Sequence, residues 1–126
     1  MKTKMLLAAV LGCFSESVQA ATISECQEML RVGHYVQCLD AATEQIEGRR
    51  YGEEWPILKA TAELELGRYL QAAATIDAGI VRYSWSIRLR MVAYETALLL
   101  GDRQKAERML DEVNQLATGA PWRYTD

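Results

Sequence analysis

The chain holds a single histidine among its 126 residues, and no HExxH, GxSxG or GxxxxGK pattern occurs in it. That removes the usual foundations of a metal site, an activated serine or a phosphate loop, and with them any cofactor and any expectation of an enzyme. Basic residues are also short, 14 against 17 acidic, for a net charge of −3 with both signs interspersed. An acidic chain without a basic patch has neither a nucleic-acid footprint nor a polybasic membrane surface. The apolar run Met5 to Phe14, MLLAAVLGCF, is ten residues long, about half of the roughly 20 that a membrane-spanning helix requires. Alternating runs of β-branched residues are missing too, which argues against strands.

What is present at the start reads as an export signal. Lys2 and Lys4 precede the apolar run, a polar stretch follows it, and Val18-Gln19-Ala20 suits a cut after Ala20. Residues 1–20 are therefore expected to be a signal peptide and the protein to be exported, periplasmic or secreted. A competing reading takes Val10-Leu11-Gly12-Cys13 as a lipoprotein signal with Cys13 acylated, a pattern that Leu11 fits poorly. Without Lys2, Lys4 and Glu16 the chain keeps 12 basic and 16 acidic residues, a net charge of −4.

The remainder repeats itself. Gly33, Gly67 and Gly101 stand 34 residues apart, and the same shift superposes Leu30, Leu64 and Leu98, then Cys38, Ala72 and Ala106. An apolar-periodic stretch precedes each glycine, over 22–32, 55–66 and 86–100. Another follows each, for example Leu70, Ala73, Ile76 and Ile80, whose spacings of three and four fall on one helix face. Glycine takes a left-handed conformation at no steric cost, so each one ends a helix and opens a turn. Connections this short make the two helices antiparallel. Breaks between units are expected at EGRRYGEE (47–54), where Pro56 suits a first helical turn, and at RYSWS (82–86). The fold class is all-α: three helical hairpins over about 21–52, 53–86 and 87–120, within a domain of 21–120 followed by a tail, 121–126.

A glycine followed two residues on by tyrosine (Gly33/Tyr35, Gly67/Tyr69), then a small residue three further along (Cys38, Ala72, Ala106), in units of 34, resembles the tetratricopeptide repeat (TPR) family. LGRYLQAAATI (66–76) carries the resemblance best, and the resemblance extends over nearly all of the chain after residue 20. The sequence departs from the family's pattern at several places. The first-helix tryptophan falls on Thr22, Pro56 and Arg90, the closing proline on Arg50, Ser84 and Thr118, and Arg103 stands where the third tyrosine belongs.

The resemblance implies a right-handed α-solenoid whose first helices line a concave groove. Its groove-facing positions carry over to Gln27 and Arg31, to Thr61 and Glu65, and to Met91, Glu95 and Leu99, with Arg88 near the rim. The family keeps Cys26 and Cys38 small because paired helices approach closely there. On export the two are thus expected to form a disulfide, worth about 3 kcal/mol in the loop-entropy model. His34 lies four residues before Cys38, but a fourth metal ligand is not evident, and a histidine in a turn is ordinarily solvated.

A groove of mixed polarity suits an extended peptide or a partner helix, so the expected role is an exported protein-binding module or scaffold. Two alternatives stand beside it: an accessory or regulatory module of a larger exported hydrolase or peptidase, since the tail is weakly similar to junctions in such repeat proteins, and a structural spacer. Glu53-Glu54 is read as an acidic first turn favoured by the helix dipole rather than as a catalytic pair. Trp55, Trp85 and Trp122 are expected to pack between hairpins. After DEVNQLATG (111–119) only APWRYTD remains, so the last apolar face is expected to be covered by Trp122 and Tyr124, to self-associate, or to continue into further sequence.

Overall fold

Gly33, Gly67 and Gly101 adopt φ values of +86°, +74° and +73° in the computed structural model, which describes residues 20–124. Each closes the same turn. His34 N–H donates to the Met29 carbonyl at 2.7 Å and Gly33 N–H to Leu30 at 3.2 Å, and the pairs Arg68–Glu63 and Gly67–Leu64, then Asp102–Ala97 and Gly101–Leu98, repeat the pattern. These are paired Schellman bonds, which satisfy carbonyls left open at a helix end and require a left-handed residue at the corner.

The helices so delimited are α1 (Ile23–Arg31), α2 (Tyr35–Glu47), α3 (Glu54–Glu65), α4 (Tyr69–Arg82), α5 (Ile87–Leu99) and α6 (Arg103–Gly119). Thr22, Ser86 and Asp102 cap α1, α5 and α6 by accepting from the amide three residues on. Pro56 occupies the first turn of α3, where a missing N–H costs nothing. The other termini depart from the glycine rule: after α2 the left-handed position is Arg49, φ +57°, one residue beyond Gly48, while α4 and α6 end at Tyr83 and Ala120 with negative φ. Among the described residues no strand occurs. The segment 1–19, which holds Cys13 and all but the last residue of the expected signal, lies outside them.

Consecutive helices pack on one another. In addition α1 packs on α3 and α3 on α5, whereas the backbones of α2, α4 and α6 stay apart, with the Lys105–Asp77 ion pair at 3.0 Å reaching from α6 to α4. An inner row in contact and an outer row splayed apart give a curved array with α1, α3 and α5 on the concave side. The core follows the joints: Trp55, Leu58 and Ala62 of α3 close on Cys26, Cys38, Leu39 and Ala42, and Ala60, Ala72, Ile76, Ala93 and Met109 form the next cluster. Beyond α6 a short 3-10 turn, Pro121–Arg123, brings the Tyr124 hydroxyl back to donate to the Trp85 carbonyl at 3.0 Å.

Candidate protein-binding surface

Helix phase decides which side chains are left for a partner. On α3, Trp55, Leu58 and Ala62 face α2, Ala60 joins the α4 cluster, and Glu63 accepts a 2.6 Å hydrogen bond from the Thr75 hydroxyl on α4. The remaining sector holds Ile57, Thr61, Leu64 and Glu65, all at least partly exposed. On α5 the buried residues are Leu89, Arg90, Ala93, Thr96 and Ala97. The opposite sector holds Met91, Glu95, Leu98 and Leu99, the two leucines 49% and 58% exposed. On α1, Gln27 and Arg31 are exposed. The α1 and α5 residues of the expected groove do not meet, because those helices are not in contact; α3 lies between them.

Ile57, Leu64 and Leu98 supply much of the apolar part of this face, yet the expected groove set omits them. The 34-residue recurrence of Leu30, Leu64 and Leu98 was the signal for the two leucines, and it marks the inner row as well as the register. Thr61 is largely committed to its own helix, its hydroxyl donating to the Ile57 carbonyl at 2.7 Å.

The charges differ in how they are used. Arg31 holds Glu28 through a two-pronged contact of 2.7 and 2.5 Å, which lowers the Glu28 carboxyl pKa and raises that of the guanidinium. Arg88 lies 3.3 Å from Glu53 and 3.4 Å from Glu54. Glu53 also accepts from the buried Ser86 hydroxyl, a short contact that ties the start of α3 to the cap of α5. The Glu53-Glu54 pair is thus a clasp between units as well as an acidic first turn. Glu65 and Glu95 have no basic group within ion-pair distance among the described residues. At one end of the face, Glu53, Trp85, Ile87, Arg88, Arg123 and Tyr124 line an open cleft of about 610 Å³.

Cys26 and Cys38 meet as the family's small positions imply: both are 0% exposed and belong to one core cluster. They are, however, free thiols here rather than the expected disulfide. Burial pushes the Cys38 thiol up to about 11, helped by the neighbouring Cys26, and it donates to the Leu58 carbonyl at 4.0 Å. Cys26 is raised as well, again chiefly by burial. His34 is exposed at the cap of α2. Of the three tryptophans only Trp55 fills a joint between hairpins; Trp85 stacks edge-on against Tyr83 at 6.2 Å, and Trp122 is 73% exposed. A tryptophan beside a unit boundary is as easily placed on its outer surface as in its joint, which is why the expectation fails for two of them.

No protein-family model and no curated protein matches the sequence. Among solved structures, the chain is similar to PcrH in its crystal structure in complex with the chaperone binding region of PopB. The TM-score is 0.72 at 20% identity, over 81% of this chain and 82% of that one. The likeness establishes the fold, an all-α array of TPR-like hairpins.

Proposed function

We propose that the protein is a binding module without catalysis of its own, which takes a segment of a partner protein along the concave face of α1, α3 and α5. The observation that carries this reading is the apolar sector of the inner row, Ile57, Leu64, Met91, Leu98 and Leu99, which the chain itself leaves partly uncovered. Side chains of this kind at helical spacing along a concave row are what a peptide or partner helix uses. The structure of PcrH with a region of PopB adds support, since that related fold was solved with a segment of another protein. The test is partner recovery by immobilised protein. Leu98→Asp is expected to abolish it, while Val81→Asp, at a position 84% exposed on α4, leaves it intact. Equal recovery by both variants overturns the assignment of the face.

The reading includes export, with residues 1–20 removed and the mature chain starting at Ala21. N-terminal sequencing of the exported form checks it, and a lipid-bearing N-terminus at Cys13 replaces it. In that compartment we propose that Cys26 and Cys38 close into a disulfide. Two thiols lose two protons and two electrons to an exchanging disulfide of an oxidase. Both groups are buried and poorly ionised once folded, so the exchange belongs to a stage before hairpin 1 packs on α3. An intact mass lacking two hydrogens relative to the reduced chain is expected; an unchanged mass means that the pair stays reduced.

A further inference from the structure

We infer that the segment bound on this face is apolar and basic, with Lys or Arg side chains set against Glu65 and Glu95. The inference rests on the concave-face reading and adds the chemistry of the occupant. It follows from which charges on the inner row already have partners. Arg31 is engaged by Glu28, and Arg88 by Glu53 and Glu54. Neither arginine is a free cation for a carboxylate of the partner. The acids differ: Glu65 near the end of α3 and Glu95 on α5 are both exposed, and neither has a cation within ion-pair distance among the described residues. They sit on adjacent inner helices, interleaved with Leu64, Met91, Leu98 and Leu99. An acidic segment would meet two unpaired carboxylates of its own sign, and a neutral one would leave them unused. A segment alternating apolar and basic residues fills both needs, its apolar side chains covering the leucines while its cations neutralise the acids. Two partly exposed ion pairs of this kind are worth about tenfold in affinity together, and that part weakens with salt.

The test is selection from a random displayed peptide library on the full mature chain, in parallel with Glu65→Lys/Glu95→Lys and with Leu98→Asp, each variant checked for wild-type helicity. Peptides selected by the wild type are expected to be enriched in Lys and Arg alongside apolar residues. Their affinity is expected to fall about tenfold on the double charge reversal, whose own selection favours Asp and Glu. Selection without a basic bias, or with one that survives the charge reversal, overturns the charge assignment; if Leu98→Asp still removes binding, the concave-face reading stands. Peptides that bind Leu98→Asp as well as the wild type overturn that reading, and a library yielding no enrichment overturns both.

Discussion

Cys38 shows how a residue's place in a repeat sets its chemistry. A thiol with an ordinary value of 9.0 is raised to about 11 because burial penalises the thiolate. Below the unfolded value it is neutral in both states, and its contribution to stability is complete. As pH rises from about 9 to about 11 the unfolded chain gives up the proton first, so folding is progressively disfavoured. Under reducing conditions, melts from about pH 8 to about pH 11 are expected to show a steeper loss of stability for the wild type than for Cys38→Ala. A constant difference between the two curves refutes the assignment. The closeness of Cys26 and Cys38 was legible in the sequence, because both occupy positions that the repeat keeps small. Buried polar contacts were not. Glu63 reaches Thr75, and Arg90, in the family's tryptophan position, donates to the Ser86 carbonyl at 2.9 Å and lies 3.4 Å from Glu112. The Glu63–Thr75 and Arg90–Glu112 contacts depend on pairings across helices that no single-helix pattern encodes.

At the scale of elements, the hairpin corners were legible because a left-handed backbone leaves its mark on residue type, and three glycines at one spacing mark three corners. The end of α2 was less so: Arg49 adopts the left-handed conformation while Gly48, its neighbour, does not. The glycine inside α4 serves another purpose. A Cβ on Gly79 would stand 3.1 Å from the Pro56 Cβ and 3.3 Å from both δ carbons of Leu89. The first is fixed to the α3 backbone and the second is fully buried, so neither gives way easily. Gly79→Ala gains about 1 kcal/mol of helix propensity but forces α4 away from both inner helices, an overpacking cost of about 1–3 kcal/mol. A lower urea midpoint, with net destabilisation of up to about 2 kcal/mol, is expected. A rise in the midpoint means that the joint yields. Nothing in the sequence separates this glycine from a helix defect, because the contacts that require it come from α3 and α5.

For the whole molecule, the joints between units explain how its two ends differ from its middle. Where α2 and α4 meet the next inner helix they present Leu39, Ala42 and Ile46, then Ala73, Ile76 and Ile80; the same positions on α6 are Glu107, Leu110 and Asn114. The receiving positions on α3 are Trp55, Leu58 and Ala62, and the matching positions of the first unit are Ala21, just before α1, and Ser24 and Glu28 on it. Glu107, Asn114, Ser24 and Glu28 are exposed. Polar residues thus replace apolar ones at the two outer faces, the pattern by which repeat arrays keep terminal surfaces in water. The 34-residue shift that finds the repeat also places the polar Glu107 and Asn114 on either side of Leu110. Glu107→Leu with Asn114→Ile restores the interior pattern around Leu110, which is already 36% exposed. Each side chain adds about 1.5–3 kcal/mol of burial if covered. The outer face of α1 stays polar, so the new strip has its best match in a second copy of itself, and a two-fold pair through α6 closes without forming a filament. Light scattering is expected to give the mass of one copy for the wild type and a concentration-dependent rise to two for the double variant. A further Leu110→Asp change returns it to one copy. A wild type already paired at the same concentration refutes the view that Glu107 and Asn114 hold this face in water.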